Sequence, residues 1–263
     1  MDYKELRQKF LAEGYCIVPA VLGESEIADL RKFCCNELEK AHSDAISGTD
    51  FLNIPRLAAI PFSQPVTSAL RGILGEDFVI VPEFTMQSGR SGAWHFDASS
   101  HRDAAWLNDP DYLQVQLGIY LQDNHPDYAG GLAVIPKSHR VPFSSWGFGS
   151  LPARIMRWFY RRFGTAKIAP ARPGDLLIFD FRLLHRGIPP RIAAIPEAFR
   201  KYAIFSGAAS SGKYGRLYMQ VMKKRGEAGD SFYKNSAGIR FPDSYPPDIV
   251  ERCRKDHIEV ATL

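Results

Sequence analysis

Between Leu113 and Leu121 the chain alternates strictly: Leu113, Val115, Leu117, Ile119 and Leu121 point one way, and Gln114, Gln116, Gly118 and Tyr120 the other. Neighbouring residues of a strand face opposite sides, so this stretch predicts a strand with one apolar and one polar face. Other β runs accompany it: FVIVPEFTM after Gly75, GGLAVIP after a glycine turn, RPGDLLIFDFRLLHRG with a turn at Pro173–Gly174 and a strand ending at His185, and RKYAIFSGAA. A helical period precedes them. DYKELRQKFLAEGY predicts a short helix capped by Asp2 and stopped by Gly14. GESEIADLRKFCCNELEKA and PVTSALRGILGED predict two more, the last closed by Gly75. YCIVPAVL, after the first helix, reads as a strand. Helices first and short strands afterwards, without βαβ alternation, predict an antiparallel barrel or sandwich with helices packed outside.

Length and composition fit a single domain of this kind. Of 263 residues, 45% are hydrophobic and 24% charged, which is enough to bury a sizeable core. The expected divisions are N-terminal helices over 1–75, a barrel core over about 76–225 and a C-terminal extension over 226–263. That extension holds the proline-rich NSAGIRFPDSYPPDI and a short terminal helix. A net charge of +4 admits an anionic small substrate but does not call for nucleic acid. No run of about 18 apolar residues predicts a transmembrane segment. MDYKELRQKF lacks the apolar core of a signal peptide. Cys16, Cys34, Cys35 and Cys253 show no CxxC spacing and read as small buried hydrophobes in a reducing cytoplasm. GAASSGKY imitates a P-loop, but Tyr214 replaces the Mg2+-binding hydroxyl and no βαβ unit surrounds it, so a loop is expected. Oligomeric state has no signature in the sequence.

A basic helical insert occupies about 150–165. In LPARIMRWFYRRFG, Arg154, Arg157, Arg161 and Arg162 fall on one helical face and Ile155, Met156, Phe159 and Phe163 on the other. One reading is a surface helix packing its apolar side on the barrel. The others are a lid over a pocket mouth, or a patch meeting an anionic substrate or a membrane surface.

The chemistry concentrates in WHFDASSHRD, Trp94 to Asp103. On a strand, His95 and Asp97 would point the same way. An imidazole and a carboxylate then converge as two ligands of a divalent metal. One further imidazole completes a facial triad, the site of non-haem Fe(II) oxygenases, with positions left open for substrates and O2. His185, at the end of an apolar strand, is the best third ligand. Its rival reading is a surface His–Asp hydrogen bond or a satisfied core histidine. Arg200 opens a downstream strand and can grip a carboxylate bidentately, as binding a 2-oxo acid at iron requires.

These stretches together resemble the phytanoyl-CoA dioxygenase family of Fe(II)/2-oxoglutarate oxygenases. The likeness runs from about Phe10 to Phe205, through EGYCIVPAVLGESEIADLRKF, WHFD, GGLAVIPKSH, PGDLLIFDFRLLH and FRKYAIFSG. The resemblance implies a double-stranded β-helix (jelly-roll, cupin-like) barrel. It implies His95, Asp97 and His185 as iron ligands and Arg200 as salt-bridge partner of the 2-oxoglutarate distal carboxylate. Two departures stand out: Arg186 follows the distal histidine where the family often has glycine, and the gap to the arginine is long. Arg191 falls inside that gap and is the rival for the cosubstrate. Gln116 and Gln114, on the polar strand face, are further cosubstrate candidates; a solvent-facing strand side is their plain alternative. His101, Arg157 and Arg154 are candidate substrate contacts.

The family likeness further implies a reaction that consumes 2-oxoglutarate and O2, releases succinate and CO2, and turns an unactivated C–H into an alcohol. Related halogenases lack the carboxylate, so Asp97 favours oxygen transfer. A small specialised metabolite is the leading substrate class; an anionic sugar, lipid or carrier-linked acyl group is the second. A catalytically silent barrel that binds a ligand or protein is the reading from outside enzymology.

Overall fold

The computed structural model describes residues 2–89, 92–100, 105–125, 127–128, 130–140, 155, 158–160, 162–229, 236 and 238–262. Helix α1 (Tyr3–Glu13) leads into β1 (Tyr15–Val18), followed by α2 (Glu24–Lys40), β2 (Ala45–Ser47), two short helices α3 (Thr49–Leu52) and α4 (Pro55–Ala58), and α5 (Gln64–Leu74). Asp2 Oδ1 accepts from the Lys4 and Glu5 amides and caps α1, as the sequence predicts. The strands follow: β3 (Val79–Ser88), β4 (Gln114–Tyr120), β5 (Leu132–Val134), β6 (Lys167–Ile168), β7 (Leu176–Asp180), β8 (His185–Gly187) and β9 (Tyr202–Ala209). Two helices, Gly212–Glu227 and Pro247–Lys255, then precede β10 (Glu259–Val260).

The larger sheet has the order β1-β7-β4-β9-β3-β10, with β2 also on β3. All its pairings are antiparallel except β10 on β3. The smaller sheet is β6-β5-β8. Residues of both sheets line one cavity, so the two face each other as in a jelly roll. The alternation of β4 sorts its faces. Val115, Leu117 and Ile119 join the main core with Phe10 of α1, Leu30 of α2 and Leu70 of α5, while Gln116 and Tyr120 face the cavity. The same core takes Ile249 and Cys253 from the Pro247–Lys255 helix, so both ends of the chain close over one sheet face.

Three expectations change. RPGDLLIFDFRLLHRG is two strands in different sheets, not one strand ending at His185: β7 stops at Asp180, a tight turn follows, and His185 starts β8. Asp180 builds that turn by accepting from the Arg182 amide and guanidinium through its carboxylate and from the Leu183 amide through its carbonyl. GKY opens a 16-residue helix where a loop was expected. The helix lays Tyr214, Tyr218 and Met219 against Val79 and Val81 of β3, and burial of that face outweighs a glycine at its start. In the insert, the described Ile155, Phe159 and Phe163 are exposed instead of packed on the barrel. Tyr160 alone of the described helical residues turns inward, beside Phe96, Ile135 and Leu184. The four cysteines are free; burial pushes the thiols of Cys16, Cys34 and Cys253 up to about 12. Among the described residues no helix is long and apolar enough to cross a membrane.

Gly14, the stop of α1, has φ +85, and a Cβ there would collide with the His139 ring and, at 2.7 Å, with Leu183 Cδ1. Gly14→Ala is therefore expected to cost roughly 2–4 kcal/mol, from left-handed strain plus overpacking. The melting temperature should fall by roughly 5–10 °C. An unchanged melting curve would show that helix and turn can part freely.

Candidate metal centre and active-site cavity

His95 and His185 come together through the backbone before their side chains meet. Each donates its amide to the other's carbonyl at 3.0 Å, forming an isolated antiparallel bridge. Asp97 then opens a one-turn 3-10 helix, Asp97–Ser100, which swings its carboxylate back toward the pair. His95 Nε2 lies 3.4 Å and His185 Nε2 3.7 Å from Asp97 Oδ1. One ligand atom from each of the three lies within 4.8 Å of the others. The convergence expected from the HxD spacing is present, but a bridge and a turn produce it, not a regular strand.

The outer contacts suit metal binding. His95 Nδ1 sits 2.8 Å from the Ala93 carbonyl and His185 Nδ1 2.9 Å from the Leu183 carbonyl. A carbonyl only accepts, so each Nδ1 carries the proton and each Nε2 turns its lone pair to the shared point. Burial lowers the His185 pKa and keeps that imidazole neutral, as a ligand must be. The Asp97 carboxylate raises the His95 pKa; a cation in the same place would take over that partnership. His185 is 5% exposed at the side chain, Asp97 21% and His95 47%, so the centre opens on the His95 side. Two nitrogens and one carboxylate oxygen, fixed in orientation and open on one flank, fit a facial-triad metal with free coordination positions. Ser138 of PKSH holds the far side: its hydroxyl accepts from the Leu184 amide at 2.8 Å and donates to the Ile135 carbonyl at 2.6 Å. The motif was visible in the sequence, and Ser138 is the positioning residue within it. His139 is a buried histidine whose Nε2 meets the Leu11 carbonyl, away from the centre.

The triad lines a cavity of about 320 Å³ between the sheets. Gln116 lies in it, buried and not solvent-facing, with its amide committed to Glu83 at 2.6 Å. Gln114 is buried outside it and accepts from the Tyr112 hydroxyl. Arg200 does not reach this cavity. Its side chain is 51% exposed, pairs with Glu197 at 3.6 Å and lines a separate hollow beside α2. Arg200 caps the 3-10 turn Glu197–Phe199 ahead of β9, and the next residue, Lys201, turns onto the cavity side with Phe205 while also bordering that hollow. Lys201 is 6% exposed and its ammonium lies 5.5 Å over the Tyr120 ring. Burial pushes its pKa down to about 8. Arg191 is exposed on the loop after β8, its amide donating to the Asp127 carbonyl. Arg186 lies over the Trp94 ring at 5.0 Å, which gives the residue after the distal histidine a packing role. His101, Arg154 and Arg157 lie outside the described residues.

Sequence reasoning missed two cavity residues, Lys201 and Glu83. Glu83 is 7% exposed and pushed up to about 7 by burial, with the Asp97 charge adding, against hydrogen bonds from Tyr218 and Gln116. Both faces of β3 are buried, so FVIVPEFTM shows no alternation that would mark its inward side.

Comparison with known proteins bears on this geometry. The fold matches the non-haem α-ketoglutarate-dependent carbocyclase SnoK from nogalamycin biosynthesis with a TM-score of 0.60, at 17% identity over 78% of this chain and 83% of that one. The α-ketoglutarate-dependent epimerase SnoN of the same biosynthesis gives 0.57 at 14%, over 78% and 81%. EctD from S. alaskensis, solved with 2-oxoglutarate and 5-hydroxyectoine, gives 0.58 at 19%, over 78% and 74%. At these identities the likeness is one of fold. No curated protein matches the sequence significantly. The sequence profile of the phytanoyl-CoA dioxygenase (PhyH) family matches residues 10–191, which is more than half of the chain and includes all three candidate metal ligands. The chain belongs to the phytanoyl-CoA dioxygenase family.

Proposed function

We propose that the protein is an Fe(II)- and 2-oxoglutarate-dependent dioxygenase that hydroxylates an unactivated C–H of a small organic substrate, such as a specialised metabolite. The observation that carries this is the His95–Asp97–His185 cluster, with both Nε2 atoms and one carboxylate oxygen aimed at a common point. Iron held there with 2-oxoglutarate and O2 would supply the oxidant for C–H cleavage. The chain's own residues do the rest. Lys201 is the cavity cation suited to the distal carboxylate of the cosubstrate, in the role first expected of Arg200. Tyr120, Phe179 and Phe205 give the cavity apolar walls that exclude water and keep a substrate C–H against the centre. SnoK and SnoN come from nogalamycin biosynthesis, which supports a specialised metabolite; as a carbocyclase and an epimerase they illustrate how one fold serves several outcomes.

An acyl or lipid substrate is the second reading. Trp158, Phe159 and Phe163 are 55–59% exposed on a helix that Tyr160 tethers beside Phe96 and Leu184, the neighbours of two metal ligands. One experiment tests the function. Anaerobic protein given Fe(II) and then 2-oxoglutarate should develop a weak visible charge-transfer band. In air it should release succinate slowly, and faster with its substrate, so a metabolite and acyl-donor screen can read succinate. Absence of both band and succinate would favour a silent ligand-binding barrel.

A further inference from the structure

The cavity is polarised along β9. Lys201 stands just before that strand and Gly207 six residues on, on the same face and ~20 Å away at ~3.3 Å per residue. Tyr120, which the Lys201 ammonium overlies, pairs with Ala203 at the near end. Gln116 pairs with Gly207 at the far end. Glu83 sits there too: a Cβ on Gly207 would lie 3.5 Å from Glu83 Oε2, the oxygen that accepts from Gln116 Nε2. The metal ligands line the same cavity, close enough to Glu83 for the Asp97 charge to act on it. One end of a small cavity is thus cationic and the other a desolvated carboxylate.

We propose that Glu83, supported by Gln116, anchors a protonated amine of the primary substrate at the end of the cavity remote from Lys201. The roles of substrate and cosubstrate rest on the oxygenase reading above; the buried carboxylate facing the cavity does not. A carboxylate buried beside an open cavity is costly unless its charge is matched. Hydrogen bonds from Tyr218 and from the Gln116 amide favour the ionised form, as does the charge of Arg225, against burial and the Asp97 charge. A dianionic cosubstrate is repelled from this end and drawn to Lys201. An ammonium group gains a charge-assisted hydrogen bond there, stronger than the bond from a neutral hydroxyl. With 2-oxoglutarate sharing about 320 Å³, the amine belongs to a small molecule.

The test is ligand-observed NMR on Zn(II)-loaded protein saturated with 2-oxoglutarate, with n-butylammonium as probe and n-butanol as its neutral match. The wild type should bind the amine at least about tenfold more tightly than the alcohol, a difference of about 1.4 kcal/mol. Glu83→Gln should abolish the preference. No amine binding, equal binding of amine and alcohol, or a preference surviving in Glu83→Gln overturns the proposal. The wild-type comparison decides by itself if Glu83→Gln does not fold. The Fe(II)–2-oxoglutarate band reads the oxygenase assignment separately: a band without amine preference removes this inference alone, and amine preference without a band removes the other.

Discussion

His185→Ala is expected to abolish Fe(II) binding and 2-oxoglutarate-dependent succinate release together. The loss should be at least about 100-fold, since even outer contacts to metal ligands are worth ~10–100-fold. His185 is the buried member of the triad, held by the Leu183 carbonyl behind it, by the backbone bridge to His95 and by Ser138 through Leu184. No other histidine among the described residues joins the metal-binding cluster. His139→Ala is the matched control. That histidine is also buried, and burial lowers its pKa too, but its partner is the Leu11 carbonyl. Its loss should cost stability and leave metal affinity within about twofold. Metal binding and turnover surviving in His185→Ala would mean that the cluster is a hydrogen-bonded core feature, and the oxygenase reading would fall with it.

The contrast between these histidines shows how far a sequence can be read. WHFD and PGDLLIFDFRLLH flagged all three candidate ligands because local spacing and a strand-like flank suffice to mark them. How they meet was not legible. Bridge pairing and the turn after Asp180 are tertiary events, and a strand drawn through His185 would have placed it in the wrong sheet. The alternation of β4 was strong enough to assign its faces, yet not to say that the polar face looks into a cavity. In FRKYAIFSG the cavity receives Lys201, the neighbour of the arginine expected there. An adjacent arginine and lysine compete for one inward position, and a strand's phase is fixed by its pairing, here Gln87 with Ala203 and Tyr120 with Ala203. The Gly212–Glu227 helix stayed hidden because its opening, SSGKYG, carries loop signals, and the packing of Tyr218 and Met219 against β3 is long-range.

That phase assignment has the second large consequence. Lys201→Ala should raise the 2-oxoglutarate KM about 10–100-fold, because a hydrogen bond to a charged group is worth ~1.5–3 kcal/mol and ~1.4 kcal/mol is tenfold. Arg200→Ala should change it less than about twofold, since an exposed pair with Glu197 contributes little. The pH profile adds a readout that a merely structural lysine would not move. The ammonium must be charged to hold a carboxylate, and burial places its pKa at about 8 instead of the ordinary 10.5. In the wild type, log KM for 2-oxoglutarate should be flat below pH 8 and climb by about one per pH unit above it. In Lys201→Ala that rise should vanish. Stability runs in the same window with a definite sign. The folded pKa lies below the unfolded one, so between about pH 8 and 10.5 the unfolded chain binds more protons and stability increases with pH. Lys201→Met, which fills the space without the charge, should therefore fold at pH 7 with a melting temperature no lower than that of the wild type while losing the cosubstrate. A larger KM effect from Arg200→Ala than from Lys201→Ala would reverse the assignment and place 2-oxoglutarate in the hollow beside α2.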